Sequence, residues 1–239
     1  MNDEVDGGWA SSAQAWIVEQ GEEGDYGRRA VLDAPMLARI EGRSFARALD
    51  VGCGEGRFCR IMQRLGIRTT GIDPTEALLA RAKQLDPAGD YRPGRAEDIT
   101  EEAQFDLVVS YLTLIDIPDI ETAIVKMATA LRPGGTLLIA NLTSFNTANM
   151  PDGWRRDGDG VARFSIDHYM EERPIWIAWR GIRLQNWHRP LSTYMTLLLN
   201  QGLQLRLFTE PRPTAGDPAQ IARHLRVPYF HIMEWQKPA

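Results

Sequence analysis

Two cysteines, Cys53 and Cys59, are all the thiols in this 239-residue chain. They stand six residues apart across a glycine-rich stretch, where a disulfide would fight the turn. Two ligands also make no zinc site, so they read as free thiols. Lysine is nearly as scarce, at three residues against 24 arginines. The net charge of −5 gives no electrostatic argument for binding nucleic acid. No apolar run approaches the length of a membrane span. Met1-Asn2-Asp3-Glu4-Val5-Asp6 is acidic where a signal peptide is basic, so the expectation is a cytoplasmic protein, away from membranes. There are no internal repeats. The length suits one α/β domain, and 44% apolar residues suffice for its core.

What is present begins with Asp50-Val51-Gly52-Cys53-Gly54-Glu55-Gly56. The run Phe45–Leu49 before it reads as a strand, and Arg57–Leu65 after it as a helix. Glycine accepts positive φ and holds nothing away from the backbone. A helix start presents free N–H groups. A polar or nucleotide-like ligand is therefore expected across this turn. A dinucleotide fingerprint wants Gly-x-Gly-x-x-Gly, whereas here the third glycine falls one residue early.

Further strands follow in order. Thr69-Thr70-Gly71-Ile72-Asp73 ends in an acid seventeen residues after Gly56, then Pro74 stops the strand and Thr75 is set to cap a helix. A carboxylate at that tip can accept two hydroxyls at once. Phe105–Ser110 is a continuous apolar strand of the doubly buried kind. Ile120–Leu131 has helical spacing, and Leu131-Arg132-Pro133-Gly134-Gly135-Thr136-Leu137-Leu138-Ile139 turns into another buried strand.

Over residues 45–141 this series resembles the class I S-adenosylmethionine-dependent methyltransferases, similar to the small-molecule type of ubiquinone and menaquinone biosynthesis. The resemblance implies a Rossmann-like, doubly wound α/β fold. Its seven-stranded sheet is mostly parallel, with one antiparallel hairpin at the end and a lid inserted after the fifth strand. It implies S-adenosyl-L-methionine as methyl donor and S-adenosyl-L-homocysteine as product. The cofactor would meet Asp50, Gly52, Cys53 and Gly54 at the turn, Asp73 and Pro74 at the ribose, Ala96 and Glu97 at adenine, and Tyr111 near the methyl group. Many relatives carry Asp where this chain has Arg95, so adenine would rest on the Ala96 backbone and on Glu97 or Asp98. The competing account makes those two acids a solvated turn. Tyr26 could face the sulfonium and Arg28 the methionine carboxylate; alternatively Tyr26 packs in the core and Arg28 is solvated.

The chain divides into an N-terminal cap (1–44), a cofactor core (45–141), a lid or substrate platform (142–189) and a C-terminal completion of the sheet (190–239). Residues 29–41 are spaced as an amphipathic helix with Pro35 as a kink or start. Residues 161–187 read as short antiparallel strands, His188–Asn200 as the opening and length of a helix, 203–208 as a strand, 211–218 as a loop and 227–235 as the last strand. The lid segment is too long for a plain connection and holds Trp154, Tyr169, Trp176, Trp179 and Trp187. These suit a flat or apolar substrate. The same aromatics could instead form a second small core or a dimer contact.

Methyl transfer from a sulfonium is an in-line displacement, for which a protein mainly supplies alignment and dryness. A phenol, carboxylic acid or carbon acid gains from a base, and His188, His168 and Tyr194 are the candidates. A lone histidine can equally be a structural hydrogen-bonder. Ser110 continues as Tyr111-Leu112-Thr113, unlike the Asp/Asn-Pro-Pro-Tyr of amide and base methylation, and no acid cluster resembles a catechol-type magnesium site. The expectation is metal-independent transfer to an O, N or C nucleophile of a small molecule, by a monomer or homodimer. The alternatives are a nicotinamide-dependent oxidoreductase and a non-catalytic S-adenosylmethionine-binding partner protein.

Overall fold

The computed structural model describes residues 6–239. The acidic stretch read as evidence against a signal peptide falls almost wholly on residues 1–5, outside the described residues.

Seven strands form the central sheet. β1 (Arg47–Val51), β2 (Arg68–Asp73), β3 (Asp90–Pro93), β4 (Phe105–Tyr111) and β5 (Leu131–Leu142) run parallel, in spatial order β3-β2-β1-β4-β5. β11 (Phe230–Gln236) adds antiparallel to β5, and β10 (Gln204–Thr209) pairs antiparallel with β11. Chain order reverses at β1, where Asp50 stands level with Gly71 of β2 and Val109 of β4. A reversal opens a crevice beyond the carboxyl ends of the strands.

Strand alternation divides the core into two faces. Val108 of β4, Leu137 and Ile139 of β5, and Met233 and Trp235 of β11 pack on one side with Ile120, Ala123, Ile124 and Met127. The latter belong to α5 (Ile120–Ala130), which Asp119 caps by accepting the Thr122 N–H at 3.1 Å. Leu107, Val109, Leu138, Ala140 and Ile232 pack on the other side with Val31, Met36, Phe58 and Met62. Phe58 and Met62 lie on α3 (Arg57–Arg64). α4 (Glu76–Leu85) follows β2 and buries Leu78, Leu79 and Ala82.

The amphipathic segment expected at 29–41 divides into a π turn over Arg28–Leu32 and a short α2 (Asp33–Leu37). Pro35, which has no N–H to give, falls in the first turn of α2, where a helix tolerates it. α1 (Trp9–Gln20) has no counterpart in the sequence reading.

Between β5 and α7 (Leu191–Asn200), the chain makes a short α6 (Ser144–Asn149) and two antiparallel hairpins. β6 (Trp154–Arg156) pairs with β7 (Ala162–Phe164), and β8 (Arg173–Trp179) with β9 (Ile182–His188). α8 (Pro218–Arg226) lies where the sequence suggested only the end of a loop. It buries none of its residues and is capped by Asp217. The β8–β9 hairpin carries α1: Ser12 Oγ donates to the Arg183 carbonyl and accepts the Arg183 N–H, both at 2.9 Å. Gln185 N–H donates to the Gly7 carbonyl at 2.9 Å.

Candidate active site

A cavity of about 860 Å³ opens at the reversal point of the sheet. Its floor is the turn after β1. Gly52 and Cys53 N–H both donate to the Ile72 carbonyl, at 2.9 and 3.0 Å, which ties the turn to β2. The glycines serve different ends. A Cβ at Gly52 would lie 2.2 Å from Thr113 Cγ2, and one at Gly56 2.4 Å from the Tyr91 ring. These two let the walls close in. Gly54, at φ +54°, is the reverse: a Cβ there would meet nothing nearer than Leu78 Cδ1 at 4.0 Å, so bare peptide faces open space.

Asp73 stands at the tip of β2. Its Oδ2 accepts the Gly54 N–H at 2.9 Å and its Oδ1 accepts the Thr75 N–H at 2.8 Å. Burial pushes its pKa up against the pull of those two bonds. Each carboxylate oxygen keeps lone-pair capacity for a further donor. Asp50 is 1% exposed and accepts the Cys59 thiol at 3.3 Å; burial pushes it up to about 7.

One side of the cavity is made by Pro74, Thr75, Gly94, Arg95, Ala96 and Glu97, the other by Arg28, Tyr111 and Leu112. Tyr111 Oη donates to Asp33 Oδ1 at 2.8 Å, and Asp33 also pairs with Arg57. The Arg28 guanidinium lies 5.2 Å from the Trp16 ring and 5.7 Å from the Tyr111 ring, with Asp25 at 2.5 Å.

A glycine turn with one peptide left bare, joined by hydrogen bond to a strand-tip carboxylate, fits the amino-acid and ribose ends of a nucleoside-linked amino acid. Comparison with known proteins agrees. A family model described as "Methyltransferase domain" matches residues 49–139. Malonyl-[acyl-carrier protein] O-methyltransferase of Enterobacter lignolyticus is 34% identical over 121 residues, 50% of this chain and 48% of that one. Ubiquinone biosynthesis O-methyltransferase of Maricaulis maris is 37% identical over 108 residues, 43% of this chain and 42% of that one. A solved S-adenosylmethionine-dependent methyltransferase from Mesorhizobium loti superposes with TM-score 0.78 at 26% identity, covering 91% of this chain and all of that one.

Residues 49–139 match a methyltransferase domain, and the chain is similar in fold to solved S-adenosylmethionine-dependent methyltransferases.

It spans about half the length of the two curated relatives. The expected cofactor residues Arg28, Asp50, Gly52, Cys53, Gly54, Asp73, Pro74, Ala96, Glu97 and Tyr111 all line one cavity. Tyr26 does not. It packs edge-on to His224, with ring centroids 5.5 Å apart, and against Gly216.

The structure does not bring the expected bases to this cavity. His188 is fully buried, with Nδ1 2.8 Å from Thr147 Oγ1 and Nε2 2.9 Å from the Tyr169 carbonyl. Both ring nitrogens are therefore engaged, and burial lowers its pKa. His168 is exposed at the surface beside Glu171 at 2.9 Å. Tyr194 is 2% exposed, packed in the core beneath α5 and β5.

Nor do the lid aromatics reach it. Trp154 Nε1 donates to Tyr229 Oη at 2.8 Å, under the Arg226 guanidinium. Trp176 lies beneath Arg183 at 3.8 Å and Trp187 beneath Arg189 at 4.9 Å. Trp179 meets Trp16 edge-on at 6.4 Å, while Tyr169 packs between Phe145 and His188, at 5.7 Å from each. Of residues 142–189, Gln185 alone contributes to the cavity wall. The cover is α1 instead, through Trp9, Ala10, Trp16 and Gln20. The sequence placed that stretch in the N-terminal cap (1–44) without assigning it a helix or a site residue before Tyr26.

It also missed Asp116, on the wall past the tip of β4. The available signal was a single acid in the otherwise uncharged run Leu112-Thr113-Leu114-Ile115-Asp116-Ile117. Leu112 opens that run in the left-handed region, at φ +59°. A side-chain-bearing residue held there marks a constrained turn.

Proposed function

We propose that this cavity binds S-adenosylmethionine across the Gly52–Gly56 turn and transfers its methyl group to a nucleophile on a small, flat acceptor. The observation that carries the reading is the Gly54–Asp73 unit, bare peptide on one side and a twice-bonded carboxylate with spare acceptor capacity on the other. Asp73 takes the ribose hydroxyls, the Gly52–Gly54 peptides and Arg28 take the methionine end, and the Ala96 backbone with Glu97 takes the adenine edge. When bound, the sulfonium supplies an activated methyl group, so the reading needs no metal.

The protein's part is alignment and exclusion of water. Proximity of this kind supplies on the order of 7–11 kcal/mol. Trp9 and Trp16 of α1 close the cavity over the reacting centre, and Tyr111, fixed by its bond to Asp33, forms the wall beside it. The two curated relatives are both O-methyltransferases by name, which favours oxygen as the nucleophile. Among the described residues no helix is long and apolar enough to cross a membrane. The reading also takes a diffusible substrate, a cytoplasmic location, and action as a monomer or homodimer.

Thermal shift tests it against the nicotinamide alternative. S-adenosylhomocysteine at 100 times its Kd should stabilise the protein by about 2.7 kcal/mol, and NAD should not. The reverse pattern overturns the reading.

A further inference from the structure

Resting on the methyl-transfer reading above, we propose that Asp116, held in place by Asn186, takes the proton from the acceptor's hydroxyl, and that the acceptor is a phenol.

β9 and Arg189 just after it grip the loop that carries Asp116. Asn186 Nδ2 donates to Asp116 Oδ1 at 2.6 Å. Trp187 N–H donates to the Ile115 carbonyl at 2.6 Å. Arg189, 1% exposed, donates to the carbonyls of Leu114, Ile117 and Pro118 at 3.3, 2.7 and 2.9 Å. Three residues within a span of four thus fix residues 114–118, and Asp116 lines the cavity with them in place. Its Oδ2 has no hydrogen-bond partner among the described residues. A carboxylate held by one oxygen, with the other free at a cavity wall, is the form a proton acceptor takes.

Its electrostatic setting is compatible. Burial pushes Asp116 up to about 8; the Asn186 bond and Arg28 from the π turn pull it down, and the Asp73 charge from β2 adds to the rise. Such a base is matched to a donor a little weaker as an acid. Phenols ionise near 10, within reach of transfer coupled to bond formation. A carboxylic acid acceptor would already be an anion at neutral pH, with no proton for Asp116 to take. The walls offered by Trp9, Trp16 and Tyr111 suit an aromatic ring. In the step itself, the phenolic oxygen's lone pair forms the C–O bond. The S–C bond breaks and leaves its electron pair on sulfur as the thioether. The O–H proton passes to Asp116 Oδ2 and then to water.

The test uses methyl-labelled S-adenosylmethionine with 4-methylphenol, 4-methylaniline and 4-methylbenzoate, and S-adenosylhomocysteine calorimetry on the same preparations. Label should pass to the phenol faster than to the other two. Asp116→Asn should lower that rate by about 100-fold or more and leave S-adenosylhomocysteine affinity within about threefold of wild type. The wild-type rate should rise with pH through about 8. Asn186→Ala, which removes a bond favouring the anion, should move that rise to higher pH. Transfer to the amine or carboxylate in preference, or no transfer to the phenol by protein that binds S-adenosylhomocysteine, overturns the acceptor. Unchanged rate and pH profile in Asp116→Asn overturns the base. Failure of wild type to bind S-adenosylhomocysteine strikes the methyl-transfer reading instead.

Discussion

Gly54 donates its N–H to the Asp73 carboxylate at 2.9 Å, so the turn after β1 and the tip of β2 are one unit. Asp73→Asn keeps the shape but puts an amide donor where a carboxylate accepts both Gly54 and Thr75. Charge-assisted bonds of this kind contribute about 1.5–3 kcal/mol. S-adenosylhomocysteine affinity should fall by about 10–100-fold, measured by calorimetry.

The glycines of the turn should separate in the same assay. Gly54→Ala meets no wall and carries only the left-handed penalty, roughly 1–2 kcal/mol. Its new methyl group projects into the cavity, so binding should suffer more than the melting temperature. Gly52→Ala adds a clash with Thr113 to the same penalty, and its melting temperature should drop further than that of Gly54→Ala. Equal melting temperatures would count against the assignment of roles.

Asp50 makes stability depend on pH in a definite direction. Its pKa is about 7 when folded, against about 3.9 for an unfolded aspartate. Between those values the folded state holds the proton and the unfolded state does not, so stability falls as pH rises. Asp50→Asn carries no such penalty. Its stability relative to wild type, from urea titrations of ligand-free protein, should improve steadily from pH 4 to pH 7 and then level off. A difference independent of pH would contradict the burial argument.

His188→Ala should act on the fold and leave cofactor binding alone. The imidazole is fully buried, between Thr147 and the Tyr169 carbonyl; truncation removes a partner from each and leaves Thr147 Oγ1 only its 3.4 Å bond to the Ser144 carbonyl. A loss of roughly 2–4 kcal/mol in chemical unfolding is expected, with S-adenosylhomocysteine affinity unchanged. Wild-type stability in the variant would contradict the structural role.

The sheet and the turn-and-carboxylate wall of the cavity were legible because glycine spacing and strand-tip acids are local signals. Gly52, Gly54 and Asp73 announce a turn and a strand end without knowledge of the rest. α1 was not legible, since it docks by polar means: the residues it buries are Ser12, Ala13 and Gln20, which carry no apolar period. α8 buries nothing and likewise leaves no stripe. The lid tryptophans misled because composition does not say which face of a ring is covered. Trp176 lies beneath Arg183 of the opposite strand, Trp154 beneath Arg226 of α8, and Trp187 beneath Arg189 two residues further on. Asp116 has no motif; its significance comes from Asn186, seventy residues away in sequence.

The central claim is that the Gly52–Gly56 turn and Asp73 grip a methyl donor. Titration of purified protein with S-adenosylhomocysteine in a calorimeter tests it most directly. One site per chain, weakened in Asp73→Asn, is the predicted result. No heat of binding in folded wild-type protein, or equal binding by the variant, would contradict the account.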